Sequence, residues 1–264
     1  PTLAMLVERA GQISNFQKEK YFNVELDCDG IPAIKPKIFD PDKAEQLRSR
    51  CQGSEAIITA VKEAEKKVKA PKLYDLTTLQ REANRMFGYT AQQTLDAVQE
   101  MYEQKLVTYP RTDSQYLTED MEQTARNVVR QIYEKYQLTG PFDQPEQPDV
   151  KKVMNNSKVT DHHAIIPTME LASCHLGELK SWEEKILFLI AVHTVMAMSK
   201  DHIYQETEIE VECQGEVFKT KGKTVLQDGW KLFENCFKNK DRMAIADPDQ
   251  EMKNRMPKVI QGQT

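Results

Sequence analysis

Long apolar runs are missing from this sequence. The longest, 186-ILFLIAV-192, falls far short of the roughly 20 residues a membrane-crossing helix needs. The opening PTLAMLVERAGQ has no basic segment ahead of an apolar stretch and no cleavage site, so this stretch is not expected to be a secretory signal. It also lacks an initiating Met and begins mid-pattern, so an excised fragment is expected. Metal-ligand spacing is absent too. The five cysteines, Cys28, Cys51, Cys174, Cys213 and Cys236, contain no C-x-x-C, and the five histidines contain no H-x3-H or H-E-x-x-H. An odd cysteine count without such spacing points to a reduced cytosolic protein with no zinc site. A basic excess is missing as well: 36 Lys and Arg stand against 41 Asp and Glu, for a net charge of −5. Any nucleic-acid site must therefore be a local groove, since no basic coat is available.

What is present alternates between β-like and helix-like stretches. Residues 2–13 put Leu3, Leu6, Val7 and Ala10 on one helical face. In 21-YFNVELDC-28, Phe22, Val24, Leu26 and Cys28 alternate with polar residues, and Asp29-Gly30 closes the strand. The prolines of 31-IPAIKPKIF-39 mark an extended edge. Asp40-Pro41 starts a helix that ends near Gly53. Residues 55–71 mix helix formers with an Ile57-Ile58-Thr59 β-branched run and are read as a long strand. Capping boxes at Thr77/Gln80 and Thr90/Gln93 open helices over 78–87 and 91–104, and a further helix covers 118–136. Gly140 to Pro148 is a proline-rich loop. Ser181 and Glu184 cap a strongly amphipathic helix over 182–199. Residues 203–213 and 216–226 form a hairpin about Gln214-Gly215, and a polar tail follows. The expected class is α+β, with a helical segment nested inside β-rich material and crossing points at Lys72 and about Thr168. The paired short helices also fit a winged-helix layout.

Two stretches carry candidate chemistry. In 107-VTYPRTDS-114, Tyr109 is a nucleophile in waiting. A phenol with a reference pKa near ~10 is mostly protonated at neutral pH. A neighbouring cation such as Arg111 favours the phenolate and can also clamp phosphate oxygens. Thr112, Asp113 and Ser114 can cap backbone groups or touch a phosphate. In 160-TDHHAIIPT-168, His162 and His163 suit acid–base work or phosphate binding. Both stretches also fit ordinary capped loops, since short motifs match by chance. Arg81 and Arg85, one turn apart, are the candidate DNA-backbone contacts; a solvated helix face is the alternative. Tyr74, Tyr89, Tyr102 and Tyr116 could stack bases, although helical spacing also suits them to a core.

At this point the residues resemble a family. The stretch 107-VTYPRTDS-114 resembles the active-site tyrosine motif of type IA DNA topoisomerases, and 160-TDHHAIIPT-168 resembles their histidine-bearing second segment. Residues 75–105 are similar to the helices preceding that tyrosine, 1-PTLAMLVER-9 to the gate-region helix, and 228-DGW-230 to the end of the arch. The likeness runs in order from residue 1 to about 232. Pro110 and the His162-His163 pair look more like bacterial topoisomerase III than topoisomerase I, where a Met and a His-Glu pair are expected.

The resemblance implies a fragment of a toroidal arch. Residues 1–19 would be a gate helix, 20–71 and 168–232 a β-rich arch with helix 182–199 within or beside it, 72–167 the tyrosine-bearing domain, and 233–264 a linker-like tail. It implies an isomerase in which Tyr109 cleaves single-stranded DNA as a 5′-phosphotyrosine, aided by Arg111 and His162 with His163 as the close alternative. The strand passage that follows gives relaxation and decatenation. Magnesium would bind a toprim domain, expected ahead of Pro1, so this chain alone should not relax DNA. The stretch 243-MAIADPDQE-251 has toprim-like D-x-D-x-E spacing but lacks the following Gly, and reads as linker. Helicase or single-strand-binding-protein partners, no membrane, and a bacterial cytoplasmic, nucleoid-associated location follow by family analogy. The alternatives are a non-enzymatic winged-helix DNA-binding module and an arch that only binds proteins.

Overall fold

A computed structural model describes residues 2–138, 148–234 and 261–262. Cys236, the 243–251 segment, nearly all of the polar tail and the Gly140–Pro148 loop except Pro148 lie outside the described residues. The described chain divides into two compact units. One comprises the residues up to Ala64, those of Glu206–Thr224, and 261–262; the other comprises those of Glu65–Gln205 and 225–234.

The smaller unit is built on antiparallel strands. Strands β1 (Phe22–Cys28) and β2 (Ile31–Ile38) form a hairpin whose turn, Asp29-Gly30, has both φ angles positive at 51° and 86°. That conformation matches the strand twist and suits Asp-Gly. Helix α2 (Pro41–Cys51) starts where Asp40 accepts from the Asp42 and Lys43 amides at 3.0 and 3.4 Å. Strands β3 (Ile57–Val68), β4 (His202–Cys213) and β5 (Glu216–Gln227) complete a five-stranded sheet of order β1-β2-β5-β4-β3. The expected edge at β2 is thus wrong, because the strand lies between β1 and β5. Its prolines are tolerated because pairing with β5 is confined to the single register Ile34–Lys219. The core of this unit gathers Val24, Ala33, Leu47, Ile58, Val211 and Phe218. Helix α1 (Thr2–Ser14) forms as its periodicity predicts, yet Leu3, Leu6 and Val7 remain 74%, 63% and 64% exposed.

The larger unit is mostly helical. Helix α3 (Leu76–Phe87) is capped by Asp75, whose carboxylate accepts from the Thr78 amide at 2.7 Å. The expected box at Thr77/Gln80 therefore lies two residues too late, since Asp75 supplies the stronger acceptor. Helix α4 (Ala91–Glu103) uses the expected Thr90/Gln93 box, at 3.1 and 2.9 Å. Helix α5 (Glu122–Tyr136) follows a short 3₁₀ turn at Glu119–Met121. Helix α6 (Ser181–Ala197) departs from expectation: it is not amphipathic, because every residue from Ile186 to Val192 is buried. A helix apolar all round must be enclosed on all sides. Its residues share one core with Leu79, Val98, Met101 and Ile132 from α3, α4 and α5. Residues 168–201, read from the sequence with the β-rich arch and helix 182–199 within or beside it, thus contribute Leu171 and most of α6, Ile186–Val192 and Val195–Ala197, to the helical core. Phe233, read as tail, is buried there too.

The 228-DGW-230 stretch closes this unit by close backbone approach. Gly229 has φ 54°, and a Cβ at that position would lie 2.4 Å from the Asp201 carbonyl oxygen and 2.5 Å from that of Lys200. The Trp230 amide donates to Lys200 O at 2.9 Å and its indole to Val68 O at 3.1 Å. Gly215 also has a positive φ, 78°, but faces open space. Gly229→Ala is expected to lower stability by several kcal/mol, roughly 3. Gly215→Ala should cost only about 1 kcal/mol. Urea unfolding of both variants measures the difference.

Candidate active site

Helix α4 ends at a residue in the left-handed region. Lys105 has φ 62°, its amide donates to Tyr102 O at 2.8 Å, and the Leu106 amide reaches back to Met101 O at 2.8 Å. This closure satisfies the last helical carbonyls and turns the chain sharply. Leu106 and Val107 then enter the core. Val107 bridges Pro167 in antiparallel sense. The Thr108 amide donates to Ile166 O at 3.0 Å. The Thr108 hydroxyl donates to Ala164 O and accepts from the Ile166 amide, each at 3.0 Å. Further along, the Ala164 amide donates to Tyr116 O at 2.9 Å, and the Ile165 amide to Tyr74 O at 2.8 Å. The second motif is thereby stitched between residues 74 and 105–117.

This stitching decides which candidate side chains meet. The Tyr109 and His162 rings lie 4.2 Å apart between centroids, tilted by 39°. Tyr102, exposed at the end of α4, meets Tyr109 edge-on at 5.4 Å. Buried Thr112, fifty residues from His162, donates its hydroxyl to His162 O at 3.0 Å and so fixes the backbone beneath that imidazole. Buried Ser114 bonds Lys158 O at 2.8 Å. Both hydroxyls are committed to the loop, which makes them positioning groups. His163 Nδ1 donates to Ala164 O at 2.9 Å, while His162 stands at the phenol. Arg111 and Asp113 are exposed, and no ion pair holds either among the described residues. The arrangement therefore presents a half-buried phenol, an imidazole against it and a solvent-facing guanidinium two residues on.

Arg81 and Arg85 stand elsewhere on the same unit. They line an open cavity of about 780 Å³ with Lys72, Phe87, His193 and Trp230. Arg85 is paired with Glu82, whereas Arg81 has no carboxylate partner among the described residues. Tyr89 packs on Phe87 at 5.5 Å. Tyr74 is buried and stacks on His193 at 3.7 Å and 15°. Sequence reasoning missed His193; the available signal was a lone histidine inside an otherwise apolar helix. Its Nε2 donates to Lys72 O at 2.7 Å. Burial drives its pKa down to about 4, against the weaker opposing pull of that hydrogen bond. Among the described residues, no group of three or more His, Cys, Asp or Glu could hold a metal ion. The magnesium implied by the resemblance would bind a toprim domain ahead of Pro1, and no step is assigned to it here. Nor is any described helix long and apolar enough to cross a membrane.

Two outcomes follow. Thr108→Val, which removes one donor and one acceptor at once, should cost about 1–3 kcal/mol in urea unfolding. For His193, the folded pKa lies below the ordinary 6.5. The unfolded chain therefore binds the proton first, and stability present above pH 6.5 is lost as pH falls toward about 4. The loss should reach about 3 kcal/mol at most and flatten in His193→Gln, read by denaturation at stepped pH.

A family model described as DNA topoisomerase matches residues 1–264. A Bacillus licheniformis protein named DNA topoisomerase 3 is 37% identical over 280 residues, covering 100% of this chain and 37% of that protein. One of the same name from Bacillus subtilis is 36% identical over 261 residues, covering 95% of this chain and 35% of that protein. The chain thus spans little more than a third of the length of these relatives. Among solved structures, full-length topoisomerase I from Thermotoga maritima matches 99% of this chain and 41% of its own, with TM-score 0.67 and 23% identity. That likeness concerns the fold: mixed helix and antiparallel sheet.

Proposed function

The chain belongs to the type IA DNA topoisomerase family, and from that premise we propose that it carries the nucleophile for reversible cleavage of single-stranded DNA. The Tyr109 oxygen attacks a backbone phosphorus, and the bond from that phosphorus to the 3′ oxygen breaks. A 5′-phosphotyrosine forms, and the departing oxygen takes up a proton as a 3′-hydroxyl. After strand passage the hydroxyl attacks the phosphotyrosine, restores the phosphodiester and frees Tyr109. His162, against the phenol, can hydrogen-bond a phosphate oxygen, and exposed Arg111 can offset the charge that develops on the phosphoryl group. The observation that carries this reading is the meeting of the Tyr109 and His162 rings at 4.2 Å.

The finer architecture belongs to the same reading. The β-rich unit, with residues 20–64 and 206–224, would act as an arch, and the helical unit, with residues 65–205, as a winged-helix-like carrier of Tyr109. Magnesium, helicase or single-strand-binding partners, and a cytoplasmic, nucleoid-associated site of action would apply to a protein of the relatives' full length.

The test is a denaturant-resistant protein–DNA adduct from single-stranded oligonucleotide and magnesium. A protein of the relatives' length should form it, Tyr109→Phe should not, and His162→Gln should form it about 10²-fold more slowly. The 264-residue chain alone should give none. An undiminished adduct in Tyr109→Phe would remove Tyr109 as the nucleophile. DNA binding without any adduct would favour the non-enzymatic winged-helix module.

A further inference from the structure

We propose that Lys72, Lys158 and the Tyr116 hydroxyl form a phosphate cradle, distinct from the Tyr109–His162 pair, that holds a backbone phosphate of the bound single strand. The proposal rests on the DNA-cleavage reading above for the identity of its ligand, and on the following geometry for the site.

Two ammonium groups converge on one phenol. Lys158 Nζ sits 4.8 Å from the Tyr116 ring centroid and 3.5 Å from its hydroxyl. Lys72 Nζ sits 5.6 Å from the same centroid. Neither lysine has a carboxylate partner among the described residues, and what sets the two apart from other unpaired lysines is that both stand over the same phenol. In a chain with more acidic than basic residues, two close cations left without a counter-charge mark a place where an anion is to come from outside. Both lysines are exposed and Tyr116 is half-buried, so the site is open to a ligand. Partial burial pushes the phenol upward, but the Lys158 hydrogen bond and the charges of both lysines outweigh it and hold Tyr116 below the usual tyrosine range.

The cradle is rooted in the active-site loop. Buried Ser114 donates its hydroxyl to Lys158 O at 2.8 Å and accepts from the Tyr116 amide at 3.1 Å. Tyr116 O accepts from the Ala164 amide at 2.9 Å, two residues from His162. Lys72 is fixed from the other side, its carbonyl accepting from His193. Lys72 and Gln115 also line the cavity that holds Arg81 and Arg85. That cavity also holds Glu82, which pairs with Arg85, and Glu234, so Arg81 is the cation there, beyond Lys72, that could meet a neighbouring phosphate of the same strand. The cradle's contacts are to the backbone, so it positions the strand without reading bases.

The test measures binding of an oligo-dT strand to the full chain by fluorescence anisotropy across a salt series. Lys72→Gln/Lys158→Gln should weaken binding about tenfold at low salt and flatten the log K against log salt slope by about 0.7, the share of one phosphate on a single strand. Lys62→Gln/Lys219→Gln should change neither. In a protein of the relatives' length, the cradle variant should need about tenfold more DNA than wild type to form the Tyr109 adduct. If wild type binds but the cradle variant keeps its affinity and slope, the cradle is wrong and the cleavage reading stands. Inorganic pyrophosphate, followed through the Tyr116 ring resonances, separates the remaining cases. Pyrophosphate binding without oligonucleotide binding keeps the anion site and overturns its DNA assignment. Binding of neither overturns both.

Discussion

The Thr108 hydroxyl holds together two segments that lie 58 residues apart, donating to Ala164 O and accepting from the Ile166 amide. With the Val107–Pro167 bridge, it turns two loops into a short ladder without a regular strand. Everything at the candidate active site hangs from this ladder. Its register places His162 and not His163 against Tyr109. It also aligns Thr112 with the His162 carbonyl and Tyr116 with the Ala164 amide. A slip of one residue would turn the alternate side chains outward, since neighbours on an extended segment face opposite ways.

The ladder needs a rigid support, and α6 supplies it. Because α6 is apolar on every side, it is stable only when enclosed, and the other helices of its unit share a single core with it. Ala164, Ile165 and Ile166 are fully or almost fully buried in that same core. The catalytic histidine candidate thus sits at the rim of a packed apolar sequence, where movement would expose isoleucine side chains to water. Charge is handled differently. Four lysines of the β-rich unit, Lys35, Lys62, Lys219 and Lys221, are matched to carboxylates on neighbouring strands, as in Lys219 with Glu208 and Glu210 and Lys221 with Glu208. Such exposed pairs contribute little stability but leave no net attraction for an anion. Arg81, Lys72, Lys158 and Arg111, none of which has a carboxylate partner among the described residues, all belong to the unit that carries Tyr109.

Much of the secondary structure was legible because local chemistry decides it. Asp29-Gly30 and Gln214-Gly215 have the positive φ angles that two-residue hairpins demand. Asp40-Pro41 and Thr90/Gln93 cap helices through contacts within three residues. The failures share a different origin. The interior place of β2, the all-round burial of α6 and the membership of Phe233 in the helical core depend on what packs from far along the chain. Asp75 displaced the expected Thr77 cap because two acceptors lay close together and only geometry chose between them.

The site shows the same division. By itself the sequence determined the chemical inventory: a tyrosine followed by proline and arginine, a histidine pair, and a deficit of basic residues that rules out a charged coat. Those are properties of residue type and short spacing, which need no fold to be read. Only the tertiary structure decided which histidine meets the phenol, that Thr112 and Ser114 spend their hydroxyls on the backbone, and that Lys72 and Lys158 converge on Tyr116. The physical reason is that each of these pairings joins residues more than forty positions apart, and its register is set by hydrogen bonds and core packing that no local window contains.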